Sequence, residues 1–181
     1  MTRQVRRVVT GKNAEGKSVF VSDDLVDPIT VAIAPGSAFH VLWGGDETPA
    51  LPADGTEPAH PAYFPPPGGY RFGFFTVPPA GGELPADLDI GAAFAEMELK
   101  LPGMAAHMEP ADPGMHTTNT VDFEVVLSGQ VVCELDDGAS VTLGPGDTFV
   151  QNGTRHRWSN PGTEPAFLFV ALIGAQPPSL P

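Results

Sequence analysis

A chain of 181 residues is long enough for one domain with an ample core and too short for two full ones. Nine Lys and Arg stand against 22 Asp and Glu, and the net charge of −13 excludes nucleic acid and anionic membrane surfaces as favourable partners. Gly and Pro, 21 of each, together hold roughly twice their average share, while 41% hydrophobic residues exclude a disordered chain. A turn-dense β protein with long loops is expected. No stretch approaches the roughly 20 apolar residues of a membrane span. The start, Met1-Thr2-Arg3-Gln4-Val5-Arg6-Arg7, has basic residues with no apolar run behind them, so no secretory signal is expected. The single Cys133 cannot form an internal disulfide and suits a reducing, cytoplasmic setting.

In chain order, residues 5–10 and 18–22 are β-rich and flank a Gly- and Asn-containing loop, which predicts a hairpin. Strands are expected over residues 39–43 and 70–77. Between them, residues 44–69 carry much of the proline, including Pro65-Pro66-Pro67. A loop of that length is functional or poorly ordered. Residues 92–100 contain good helix formers, yet Glu96, Glu98 and Lys100 alternate with apolar neighbours, so helix and strand both remain open.

From residue 121 the pattern sharpens. Strands are expected over 121–127, 131–135, 140–143, 148–151, 157–159 and 166–173. Ser128-Gly129 and Asp136-Asp137-Gly138 serve as turns, since Asp-Gly tolerates positive φ. Short strands with frequent turns indicate a closed antiparallel barrel or jelly roll. Gly144-Pro145-Gly146-Asp147 lacks the Lys and following helix of a phosphate-binding loop.

Two polar clusters bracket these hairpins. The first includes Gly114-Met115-His116-Thr117-Thr118, then Asp122, six residues and Gly129. The second runs Gly146, Gln151-Asn152-Gly153-Thr154-Arg155-His156 and Asn160. They resemble the paired motifs of the cupin superfamily. In outline these are Gly, a spacer, His-x-His, a spacer, Glu, six residues and Gly; then Gly, a spacer, Pro-x-Gly-x-x-His, three residues and Asn. Here Asp122 stands for the Glu, Thr118 for the second His and Gln151 for the Pro. The resemblance covers about a third of the chain. It is similar to small single-domain bacterial cupins with a conserved barrel of the Cupin_2 type.

The resemblance implies an all-β fold: a single cupin barrel (double-stranded β-helix or jelly roll) with an N-terminal β extension and long Pro-rich loops. It divides the chain into residues 1–112, strands and loops packing on the barrel; 113–174, the barrel core; and 175–181, a tail. It also implies a homodimer, with the N-terminal strands suited to exchange. His116, Asp122 and His156 become the expected catalytic residues and the ligands of one divalent ion (Fe2+, Mn2+, Ni2+ or Zn2+), because two His and a carboxylate leave coordination positions open. Glu124, on the same face of its strand, rivals Asp122. Thr118, Glu124, Phe149, Arg155 and Trp158 are the expected substrate contacts. His107 is a further candidate imidazole, whereas His40 and His60 fall in the Pro-rich half.

The expected function is a metal-dependent cupin enzyme acting on a small organic molecule, aromatic or acidic. Dioxygenation, isomerisation, decarboxylation and metabolite tailoring are all open, since one fold hosts many chemistries. A metal-free small-molecule-binding cupin, or a metal-free lyase or epimerase with His156 as base and Asp122 orienting it, remains the alternative.

Overall fold

Strand β5, Thr120–Ser128, alternates in the opposite sense to an ordinary half-buried strand. Its buried face carries Thr120, Asp122, Glu124 and Val126, while Phe123 and Leu127 on the other face are exposed. A one-sided antiparallel strand normally turns its apolar residues inward. Polar groups are therefore carried into the barrel by the strand itself.

The computed structural model describes residues 3–82 and 84–177. The remaining strands are β1 (Val5–Lys12), β2 (Ser18–Val26), β3 (Ala38–Gly45), β4 (Tyr70–Val77), β6 (Val131–Glu134), β7 (Ser140–Leu143), β8 (Thr148–Asn152), β9 (Arg157–Ser159) and β10 (Ala166–Gly174). The strands expected from sequence are found, three of them with both ends as expected and the others with ends moved by at most four residues. Asp137 (φ 57°) and Gly138 (φ 73°) make the turn between β6 and β7, as the Asp-Gly pair predicts.

Two sheets form the barrel. The larger has the order β3-β4-β10-β5-β8, the smaller β7-β6-β9, and every pairing is antiparallel. Their inner faces meet in a core of Val77, Val126, Ala166 and Leu168 from the first sheet with Val131 and Leu143 from the second. This is the all-β cupin barrel that the motifs imply. Because β3 and β4 are hydrogen-bonded members of the larger sheet, the barrel begins near residue 38 and not at 113. The hairpin β1–β2 is a separate two-stranded sheet, the N-terminal β extension. Of the expected tail, residues 178–181 lie outside the described residues.

Residues 90–100 are helical: α1 spans Ile90–Lys100, and the Asp89 side chain caps it by accepting from the Ala92 amide at 3.0 Å. Ala93, Met97 and Leu101 are buried. That i, i+4, i+8 spacing is helical, and it outweighs the period-two charges that also suggested a strand. Met97 and Leu101 pack with Val31 and Met104 in a second core, against which Tyr63 and Phe64 rest.

The Pro-rich stretch is held by a buried cation. Arg71, 4% exposed, donates to Asp46 at 2.6 Å and to the carbonyls of Gly45, Tyr70 and Ala62. Its charge is paired and its N–H groups satisfied, as burial demands. The loop is thereby pinned so that Tyr63 and Phe64 lean over the open end of the barrel.

Candidate functional site: a histidine pair beside two buried carboxyl groups

The two motifs meet at His116 and His156. Each backbone N–H donates to the other residue's carbonyl at 3.0 Å, a single antiparallel bridge. Their rings lie 4.1 Å apart, centroid to centroid. His116 Nδ1 lies 3.0 Å from the Gly114 carbonyl and His156 Nδ1 2.9 Å from the Thr154 carbonyl. A carbonyl only accepts, so Nδ1 carries the hydrogen in both rings and Nε2 keeps its lone pair. The residue that orients His156 is therefore Thr154, not Asp122. Burial, then the neighbouring His116, push the His156 imidazole down to about 4. Burial also lowers that of His116. Both are neutral near pH 7.

Asp122 and Glu124 stand on the inward face of β5, 4% and 5% exposed. Asp122 Oδ1 and Glu124 Oε2 have no hydrogen-bond partner among the described residues. Burial raises Asp122 to about 6, with the Thr120 hydroxyl opposing the rise. Burial and then the Asp122 charge raise Glu124 to about 8. At neutral pH the pair is split: Glu124 keeps its proton while Asp122 is mostly ionised.

All four groups line a cavity of about 230 Å³. Thr118 and Trp158 line it too, as the sequence suggests. Thr118, in the position of the second motif His, shares a hydrogen bond with the Thr120 hydroxyl at 2.8 Å. Two expected contacts do not reach the cavity. Phe149 lies one layer deeper, edge-on to Trp158 at 5.3 Å and packed against the core. Arg155 turns outward. It makes a two-pronged pair with Glu109 at 2.8 Å and further bonds to Asp112 and Asp136. This ties the segment ahead of His116 to the turn after β8. His107 bonds the Thr117 carbonyl through Nδ1 and stacks edge-on to Phe64. His40 bonds the Arg3 carbonyl and His60 pairs with Glu57, so none of these three joins the site.

Several cavity residues come from outside the motifs: Tyr63 and Phe64 from the Pro-rich loop, Met104 and Met108 from the segment after α1, and Phe39 from β3. Loop length flagged the Pro-rich stretch, but no periodicity singles out Tyr63 there. Asp122 and Glu124 also raise the Tyr63 phenol, after burial.

The other motif positions are structural. Gly129 has φ 77°, and a Cβ there would meet the Ala166 Cα at 2.6 Å; only glycine fits. Asn160 donates to the carbonyls of Val77 and Glu164 and accepts from the Gly162 amide, fastening the end of β9 to β4. Gln151 replaces the motif proline and accepts from the Thr154 amide and hydroxyl, shaping the turn that presents His156.

For the expected divalent ion, the donor chemistry of the imidazole pair fits. Both Nε2 atoms are bare, both Nδ1–H groups are tethered as ligating histidines usually are, and Asp122 offers an unpartnered oxygen in the same cavity. Among the described residues, however, no three His, Cys, Asp or Glu side chains are gathered at ligand spacing. The pair is assembled and the carboxylate stands apart from it.

Comparison with known proteins agrees with this architecture. The family model described as "Cupin domain" (Cupin_2) matches residues 105–172. The cupin-domain-containing oxidoreductase srdB of Neurospora crassa is 25% identical over 177 residues, 94% of this chain and 74% of that protein. Phomopsin biosynthesis cluster protein C' of Diaporthe leptostromiformis is 29% identical over 159 residues, 87% of this chain and 71% of that one. These two relatives are fungal, where the motifs suggested bacterial ones. The cupin domain of Schizosaccharomyces pombe Cnp3 aligns with 96% of this chain and 86% of its own at 11% identity and a TM-score of 0.46. The chain therefore carries a cupin domain over residues 105–172, and the two motifs that meet at His116 and His156 lie within it.

Proposed function

We propose that this chain is an enzyme that moves a proton on a small organic molecule held in the barrel cavity. One observation carries the reading: two neutral imidazoles with bare Nε2 atoms line the same cavity as two buried carboxyl groups, each with one oxygen left unpartnered. Functional sites concentrate such perturbed groups. His156 or Asp122 takes a proton from a substrate C–H or O–H, and Glu124, still protonated near pH 7, donates to the opposite end. The backbone tethers at Thr154 and Gly114 hold both rings while the proton moves. Phe39, Tyr63, Phe64 and Trp158 exclude water and supply apolar contact. The names of the relatives, oxidoreductases and biosynthesis cluster proteins, support an enzyme of metabolite tailoring.

A second reading keeps the metal centre. His116 and His156, with Asp122, hold one divalent ion, Fe2+, Mn2+, Ni2+ or Zn2+. The Nδ1 tethers and the oxidoreductase names favour it. When bound, such an ion supplies Lewis-acid or redox chemistry. Self-association as a homodimer and a cytoplasmic location complete the proposal. Supporting them are an apolar outer row on the larger sheet, Phe72, Ala171, Phe123 and Val150, and the buried free thiol of Cys133. Among the described residues, no helix is long and apolar enough to cross a membrane.

The test is metal analysis of untagged protein beside His116→Ala, Asp122→Ala and His156→Ala, paired with solvent-deuterium exchange into a panel of small enolisable molecules. Exchange that survives a chelator and disappears in the variants supports proton transfer by the side chains. About one ion per chain, lost in each variant, supports the metal reading. A metal-free protein, even after reconstitution, that exchanges nothing in the panel counts against both.

A further inference from the structure

We infer that the cavity is built for an organic ammonium ion of roughly ring size, and that it rejects carboxylates and phosphates. This rests on the small-molecule reading of the site and names its ligand class.

The ionisable groups that line the cavity beside the Tyr63 phenol are two carboxyl groups and two imidazoles; its other polar groups are the neutral hydroxyls of Ser37, Thr76 and Thr118 and the Trp158 indole. Among its described lining residues there is neither Lys nor Arg. The two cations closest in sequence, Arg155 and Arg157, are already committed to carboxylates outside the cavity: Arg155 to Glu109, Asp112 and Asp136, Arg157 to Glu134 and Asp112. An anionic ligand would therefore enter without a positive partner and meet the Asp122 carboxylate. Asp122 and Glu124 both line the site, and one oxygen of each, Oδ1 and Oε2, is buried with no hydrogen-bond partner among the described residues. Buried acceptors left without donors are costly, so the site is complete only when a ligand brings hydrogen-bond donors. An ammonium group brings up to three and, with them, the charge that suits the Asp122 carboxylate.

The walls complete the fit. Phe39, Tyr63, Phe64, Phe75 and Trp158 surround the acids with ring surface. Phe39 and Tyr63 meet edge to face at 5.9 Å, and Tyr63 and Phe64 at 4.9 Å, so their planes present different faces to one volume. Rings around a desolvated cation add attraction that a neutral or anionic ligand does not receive. The cavity of about 230 Å³ has room for a single ring with a short arm, which sets the size class.

Three probes with one frame and three charges test this: benzylammonium, benzyl alcohol and benzoate. Each is titrated by calorimetry into the protein as purified at neutral pH, and binding is placed by NMR shifts of the Trp158 and His156 ring signals. Benzylammonium is expected to bind at least about tenfold more tightly than benzyl alcohol, with benzoate weakest. Asp122→Asn, near-isosteric and neutral, removes the carboxylate that is charged at neutral pH and is expected to shrink that ratio. Benzyl alcohol or benzoate binding as tightly as benzylammonium would overturn the cation inference while leaving a small-molecule cavity intact. If no probe moves the Trp158 and His156 signals, the small-molecule reading falls along with it.

Discussion

Replacing Glu124 by Gln is expected to stabilise the protein at neutral and alkaline pH and to change it least in mild acid. Glu124 is 5% exposed, lacks a partner for Oε2, and is raised from 4.5 to about 8. An acid with a raised folded value binds its proton more tightly folded than unfolded. Stability is then lost as pH climbs through the window between 4.5 and about 8, and the loss levels off above it. At about 1.4 kcal/mol per pH unit, the carboxyl costs the wild type up to about 3 kcal/mol between pH 5 and pH 7. Solvent entry and relaxation reduce this toward about 1–2 kcal/mol. Gln binds no proton and has no such slope. His156 titrates in the opposite sense: its lowered value adds stability as pH rises from about 4 to 6.5. Both proteins share that contribution, so it cancels in their difference. Urea denaturation of wild type and Glu124→Gln at pH 5, 6, 7 and 8, with chelator present, measures the difference. It should grow in favour of Gln by at least about 1 kcal/mol across that range. Parallel curves, with a constant difference, would mean that Glu124 ionises normally in the folded protein and would refute the acid role assigned to it.

Further outcomes are expected elsewhere. Leu168→Ala, at a fully buried position in the inter-sheet core, should cost about 2–5 kcal/mol in urea denaturation; a cost near zero would mean that the sheets do not meet there. Phe123→Lys, at a 49% exposed outward position, should shift a homodimer to monomer in sedimentation, and an unchanged mass would exclude that face as the interface. Arg155→Ala removes bonds to Glu109, Asp112 and Asp136 that are half in solvent. Global stability should therefore change by no more than about 1 kcal/mol, while protease cleavage over residues 105–115 should quicken; cleavage at the wild-type rate would show that Arg155 does not hold that segment.

Much of this was legible in the sequence, and the misses share a cause. The strands after residue 120 were readable because turn residues with positive-φ demands, such as Asp137 and Gly138, punctuate them. That His116, Asp122 and His156 line one cavity was readable because two motifs fix their register. Phe149 and Arg155 were misplaced by adjacency: flanking a motif in sequence says nothing about depth in the barrel, and one sank into the core while the other turned to a surface acid cluster. Tyr63 was invisible because its loop has no period, and its position is set from a distance by Arg71. The helix was ambiguous because Glu96, Glu98 and Lys100 fall at alternate positions, each placed there to reach backbone of a neighbouring segment: the Ala32 amide, the Gly103 amide and the Thr30 carbonyl.

The order β3-β4-β10-β5-β8 also governs how the chain assembles. Strand β10, late in the sequence, is the bridge between β4 and β5. Until it arrives, β4 keeps one unpaired edge, and an open edge with Phe72, Phe74 and Phe75 on it is a template for wrong pairing. The ladders that close the sheet join residues far apart along the chain, as in the pairing of Tyr70 with Ile173, and such non-local pairing is slow. Completion of the cavity wall on β5 is thereby tied to a late event. A cell making this protein would see the β3–β4 pair exposed throughout synthesis of α1 and both motifs, which gives chaperones a defined stretch to guard.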